Sequence, residues 1–354
     1  MSLIKLPGLI DVHVHLRDPG QTYKEDFYSA TCAALAGGFT TILDMPNNKV
    51  PVTSLDSVKQ KIEIAMKKIV CDVGFFFGSL GNNSEEFNKV KNSVFGLKLY
   101  LNMTTGNYLI EKVKIPDVFK NWRFKTPILL HSEGELIDEM IEYAKLYMKR
   151  IHICHISKQI ELEQIIKAKK RGIKITCGVT PHHLFLSKKD EKRLGAFGIM
   201  KPPLQSQKDL DYLWKNISDI DIVESDHAPH TIGEKNSNNP PFGVPGLETT
   251  LPLLLTAVNN KILTMDRLIK LCYKNPKKIF NIKTDKNTWV EVDSQEEYII
   301  DNKDLKTKCG WSPFDGWKVK GKVKRVVIRG NTVFYEGRIL VKRGSGNIIK
   351  PKNK

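Results

Sequence analysis

His13 and His15 stand two residues apart in an apolar run, 8–15. On an extended strand that spacing puts both imidazoles on one face. Facing inward together, they can reach one cation, and imidazole nitrogen is a common zinc ligand. Lys98 interrupts a second apolar run, 95–101, where a bare ammonium is costly to bury. One reading is a lysine that snorkels to the surface. The other is a lysine carboxylated by CO₂, for which a neutral amine, its pKa lowered by burial, is the nucleophile. The resulting carbamate offers two oxygens that can bridge two metals. His131 and His155 end later runs, and each can give one imidazole to a second metal. Asp226 closes the last run, where a carboxylate can hold water and shuttle its proton, or simply cap a helix. His152 lies near the start of its run and takes a structural role. Together these residue types fit a two-metal hydrolase. A serine triad is the competitor, but no Gly-x-Ser-x-Gly elbow is present.

The elements that must position these groups follow from apolar periodicity. The runs 8–15, 39–44, 71–77, 95–101, 127–131, 150–155, 173–179 and 220–226 read as strands, several hydrophobic on both faces as buried parallel strands are. Between them, 23–36, 54–68 and 158–170 carry helical periodicity with Gly stops after the first and last. Eight strand-then-helix units predict a (β/α)₈ barrel over 8–285. An open doubly wound sheet is the runner-up, weakened by the lack of a Gly-x-Gly-x-x-Gly turn after the first strand. The nine histidines (13, 15, 131, 152, 155, 182, 183, 227 and 230) fall outside the predicted helices, at or beyond the ends of strands 1, 5, 6, 7 and 8. In a barrel the βα loops at one rim build the active site. Taken singly, each histidine is more simply a hydrogen-bonded core imidazole; the clustering of the set argues for metal. From about Thr288 the period changes to short antiparallel strands with Gly turns. They predict a small β side domain of 1–7 and 286–345, followed by a frayed basic tail, 346–354.

Composition narrows the class. The chain has 354 residues, is 41% hydrophobic and carries a net charge of +17. The lysines are scattered, as on solvated helix faces, so no nucleic-acid partner is expected, although the charge helps attract anionic substrates. Six cysteines without a CxxC pair suggest reduced thiols in a cytoplasmic protein. No signal peptide or membrane span is expected, because Asp11, His13 and His15 interrupt the only early apolar run.

The motifs are specific beyond this chemistry. The stretch 7–20, PGLIDVHVHLRDPG, resembles the opening signature of dihydroorotases. GLKLYLN at 96–102, HICH at 152–155, TPHHL at 180–184, SDHAPH at 225–230 and PGLET at 245–249 continue it in order, with WSPF and KVKG near the C-terminal end. The resemblance spans nearly the whole chain and is strongest to the dihydroorotase domain of the animal multifunctional pyrimidine protein. It implies the reversible cyclisation of N-carbamoyl-L-aspartate to L-dihydroorotate in pyrimidine synthesis. It also implies two zinc ions with a bridging hydroxide: His13, His15, Lys98 and Asp226 for one, Lys98, His131 and His155 for the other, with Lys98 carboxylated. Asp226 is then the general acid/base. Arg17, Asn47 and His230 match carboxylate contacts, and Arg17 suits bidentate carboxylate binding. Lys201, Phe242 and Gly243 match positions whose backbone meets the ring amide. Thr104 and Thr105 fall in the family's mobile loop, which closes over substrate.

Some positions depart from the family. An extra zinc in the multifunctional relatives uses a Cys and a Glu; Cys154 is present, but Gly178 stands at the Glu position, so no third metal is expected. Lys201 replaces an Arg. A homodimer, and association with other pyrimidine enzymes, are the partner expectations. Allantoinase or dihydropyrimidinase activity is the nearest alternative, and a non-catalytic scaffold domain is another.

Overall fold

The computed structural model describes residues 3–352 except Thr105 and Asn107. Its centre is a (β/α)₈ barrel. The strands are β2 (Leu9–Val14), β3 (Phe39–Asp44), β4 (Asp72–Phe75) with β5 (Phe77–Gly78), β6 (Leu97–Tyr100), β7 (Ile128–His131), β8 (Ile151–Ile153), β9 (Ile175–Val179) and β10 (Ile222–Val223). They pair in parallel in two arcs, β2-β3-β4 and β5-β6-β7-β8-β9-β10. The run 71–77, expected as one strand, divides at Phe76. There the chain leaves β3, with the Phe76 N–H on the Asp44 carbonyl (3.0 Å), and joins β6, with the Phe77 N–H on the Gly96 carbonyl (3.0 Å). The other seam closes where the His15 N–H donates to the His227 carbonyl at 2.8 Å and Val14 bridges His227.

Both strand faces are buried. Outward residues such as Leu97, Leu99, Ile128, Leu130, Ile151 and Ile153 pack under the helices. Inward residues Ile10, Val12, Leu43, Phe76, Phe95, Leu129, Cys154 and Ile222 fill the barrel, with Phe280 and Ile282 beside them. One detail of β2 decides the site. Ile10 and Val12 face the interior while Val14 faces the helices, and the β2–β3 register shifts between Asp11 and Val14. In a regular strand the odd residues would then point outward. The irregularity turns His13 and His15 inward instead.

The helices follow their caps. The segment predicted as 23–36 becomes helical only at Phe27–Ala36, because the Asp26 side chain accepts from the Tyr28 and Ser29 N–H groups. Ser54 likewise caps Leu55–Met66. His182 and His183, expected outside helices, lie in the short helix Pro181–Phe185, which Thr180 caps.

The side sheet has the order β1 (Leu3–Pro7), β11 (Trp289–Ile299), β12 (Lys318–Ile328), β13 (Asn331–Tyr335) and β14 (Arg338–Ile339), all antiparallel. Strands β11 and β12, 11 residues each, are longer than the short strands expected there. Their outer halves are polar and held by cross-strand charge pairs, Glu296 with Lys322 and Lys324, Glu297 with Lys318. The tail does not fray through residue 349. Gly346 donates to the Ile69 carbonyl, Val73 donates to the Asn347 carbonyl and Ile349 donates back to Val73. Among the described residues, no helix is long and apolar enough to cross a membrane.

Candidate metal centre and active site

The inward-turned end of β2 brings His13 and His15 to Asp226, which follows β10. His15 Nε2 lies 3.0 Å from Asp226 Oδ1 and His13 Nε2 lies 3.4 Å from the same oxygen. His15 Nδ1 is 2.6 Å from Asn47 Oδ1. With Nδ1 donating to that amide oxygen, Nε2 presents a lone pair to the carboxylate. Two electron-rich atoms in a buried site call for a cation between them. Burial first, and then Lys98, lowers the His13 pKa; burial and Arg17 hold His15 well below its usual value. Neutral imidazoles are the form that binds metal.

A second group adjoins the first. His131 Nδ1 and His155 Nε2 are 3.0 Å apart, and the His13 and His155 ring centroids are 5.1 Å apart. Among the described residues, His131 Nε2 and His155 Nδ1 are buried without a hydrogen-bond partner, with Glu133 Oε1 3.7 Å from His131 Nε2. Burial and Lys98 hold the His131 pKa well down; burial and His131 do the same for His155. Lys98 is wholly buried beside both groups, its Nζ donating to Cys154 Sγ at 3.1 Å. Among the described residues, no carboxylate lies within ion-pair distance of it. An ammonium so placed is uncompensated, whereas a carbamate would supply an anion to cations in the same volume. Imidazole nitrogens without hydrogen-bond partners, a carboxylate and a buried amine that no carboxylate of the described residues pairs thus fit a divalent-metal centre. The groups His13–His15–Asp226 and His13–Cys154–Glu224 each hold their ligand atoms within 4.8 Å.

Burial raises the Asp226 pKa to about 6, against the opposing pull of His13 and Lys98. Arg17 (φ 62°), His155 (φ 38°) and Asp226 (φ 45°) all adopt left-handed backbone. Such strain is held by surrounding structure and concentrates at functional sites.

The rim is cationic. Arg17 is 4% exposed, yet among the described residues no carboxylate lies within ion-pair distance of its guanidinium. Its Nε donates to the Pro229 carbonyl (3.1 Å) and its NH2 lies 3.1 Å from His230 Nε2. Burial and Arg17 lower the His230 pKa to about 3, so this imidazole is neutral. Lys24, which sequence motifs did not single out, stands 3.2 Å from His230 Nδ1 and 2.8 Å from Glu234. Trp311 Nε1 donates to the His230 carbonyl at 2.7 Å.

The backbone contacts expected at Phe242 and Gly243 are engaged within the protein. The Gly243 N–H donates to the Ile199 carbonyl at 3.1 Å, and the Gly243 carbonyl accepts from Lys235 Nζ. The Phe242 carbonyl lies 3.0 Å from His230 Nε2. This loop therefore supports His230. Lys201 is half-buried, with Nζ 5.4 Å from the Phe242 ring centroid. After β6, Thr104 is half-buried; Thr105 lies outside the described residues. Tyr108, on the same loop, is buried against Tyr100, which in turn packs on His131.

Two further groups complete the picture. His152 lies between Thr176 Oγ1 (2.9 Å) and Glu224 Oε2 (3.3 Å), in keeping with a structural role. Glu224 itself was missed by the motif reading. The available signal was a charged residue in an apolar run, two before Asp226 and so on the same strand face.

With this geometry in hand, similarity to known proteins is informative. The amidohydrolase family model matches residues 4–333. This chain belongs to the amidohydrolase family. Within it, the chain falls among the dihydroorotases: it is 36% identical to "Dihydroorotase" of Pyrococcus horikoshii, covering 99% of this chain and 85% of that one. It is 44% identical to "Multifunctional protein CAD" of Squalus acanthias over 99% of this chain, which spans 16% of that protein's length. The L-hydantoinase of Arthrobacter aurescens shares the fold, with a TM-score of 0.94 at 24% identity, covering 98% of this chain and 89% of that one. The inactive dihydroorotase-like domain of the Chaetomium thermophilum CAD-like multifunctional protein superposes with a TM-score of 0.84 at 25% identity, covering 99% and 100%.

Proposed function

We propose that this chain is a dihydroorotase that interconverts N-carbamoyl-L-aspartate and L-dihydroorotate, with loss of water on cyclisation, in de novo pyrimidine synthesis. The observation that carries the reading is the buried Arg17 guanidinium, which no carboxylate of the described residues pairs, next to a cluster of neutral imidazoles and Asp226. A substrate carboxylate completes it. Arg17, Asn47 and His230 then hold that carboxylate, Lys201 with the loop at Phe242 and Gly243 flanks the ring, and the loop that carries Thr104 closes over substrate.

His13, His15 and Asp226 would hold one zinc and His131 and His155 a second, and carboxylated Lys98 would serve both. When bound, the cations supply a low-pKa water and polarise the scissile carbonyl. In ring opening Asp226 takes a proton from the attacking water and gives it to the ring nitrogen as the C–N bond breaks; in cyclisation the transfers run in reverse and water leaves. The protein acts on a small molecule, as a cytoplasmic homodimer and in association with other pyrimidine enzymes. Retention of every ligand candidate supports catalysis over a scaffold role.

Dihydroorotate, dihydrouracil and allantoin assayed side by side test the reading. Turnover of dihydroorotate is expected; turnover confined to the two rings without a carboxylate refutes it.

A further inference from the structure

Glu224 follows β10 directly, and its carboxylate is wholly buried among groups from neighbouring strands. Oε1 accepts the His155 backbone N–H at 2.6 Å, and Oε2 lies 3.3 Å from His152 Nε2. Oε1 also faces His13 Nδ1 at 3.4 Å, a buried nitrogen that no hydrogen bond satisfies. The carboxylate fits there because residue 178, on the adjacent strand, is glycine. A Cβ built on Gly178 would lie 2.4 Å from Glu224 Cδ, 2.6 Å from Oε1 and 2.7 Å from Oε2. These contacts are impossible, so any side chain at 178 drives the carboxylate off its partners. Gly178 looked like the loss of an acidic group; the next strand returns a carboxylate to the same volume.

We propose that Glu224 is the positioning carboxylate of the metal centre, that it fixes His13 with Nδ1 protonated and Nε2 turned to the cation, and that Gly178 is the void that admits it. This rests on the two-zinc reading above. A metal-bound imidazole needs a partner on its other nitrogen, which sets its tautomer and orientation. Asn47 serves His15 in this way, and Glu224 is the group placed to serve His13. The same carboxylate anchors the turn that carries His155, so one residue ties a ligand of the first zinc to a ligand of the second.

The test uses the full chain loaded with zinc, with Glu224→Gln, Gly178→Ala, Cys154→Ser and the double variant Gly178→Ala/Glu224→Ala. Zinc per chain, zinc affinity by chelator competition and the melting temperature of the metal-free protein are measured. Glu224→Gln keeps the shape and an acceptor for the His155 N–H, so it stays folded even where the smaller side chains do not. Two zinc per chain are expected in the parent and in Cys154→Ser. Zinc affinity is expected to fall by about 10- to 100-fold in Glu224→Gln and in Gly178→Ala. The double variant should lose no more than a single one, because both changes remove one contact. Unchanged affinity in Glu224→Gln, or a lowered melting temperature with unchanged affinity, overturns the proposal. Three zinc in the parent, with one lost from both Cys154→Ser and Glu224→Gln, also overturns it by making Glu224 a ligand. A parent that binds no zinc sinks the two-zinc reading itself, a result distinct from two zinc held equally well by parent and variant.

Discussion

His15 Nε2 and Asp226 Oδ1 face each other at 3.0 Å across the seam that closes the barrel. They lie 211 residues apart in the chain, on opposite sides of the junction between the first and last barrel strands. The site is therefore a product of barrel closure, and neither arc alone contains it.

Arg17 gives the sharpest statement about substrate. Replacing it with Gln removes a charge-assisted contact of about 2–3 kcal/mol. The KM for dihydroorotate should rise by roughly 30- to 150-fold, with little change in any residual turnover of dihydrouracil. Steady-state kinetics on both rings check this, and an equal loss on both would remove Arg17 from carboxylate recognition.

Asp226 predicts opposite pH dependence in the two directions. Its pKa is raised to about 6, chiefly by burial, and bound cations lower it from there. Ring opening needs the carboxylate and falls as pH drops through that pKa; cyclisation needs the acid and falls as pH rises through it. Initial rates in both directions between pH 5 and 9 test the pair of slopes. Parallel profiles would contradict the assignment.

Glu248 makes a stability prediction away from the metals. Burial raises its pKa from 4.5 to about 7, despite N–H donors from Lys306 and Thr307 and with Glu25 nearby. A folded pKa above the unfolded one favours the fold fully below pH 4.5, and that contribution is lost as pH rises through 7. It amounts to about 3 kcal/mol at most. Denaturant melts of the parent and Glu248→Gln from pH 4.5 to 8 should show the difference between them changing with this sign. A constant offset would show that Glu248 does not titrate in the window.

Much of this was legible from residue types alone. The eight strands were visible because buried parallel strands are apolar on both faces, and the imidazoles because charge-capable residues at strand ends have few other reasons to be there. The inward turn of His13 and His15 was legible only as a requirement, since the register shift that produces it leaves no mark in LIDVHV. Strands β11 and β12 extend through polar stretches held by cross-strand charges, which local periodicity does not register. The Asn347–Val73 pairing joins distant segments, and a basic Gly-rich tail gives no sign of it. Glu224 was hidden because the meaning of Gly178 depends on a neighbour 46 residues away.

The most direct test of the whole account is zinc content measured together with dihydroorotate turnover in the parent chain and in Lys98→Ala. The account predicts two zinc per chain with activity in the parent, and loss of both activity and bound zinc in the variant. A Lys98→Ala protein that keeps full activity and its full metal content would contradict it.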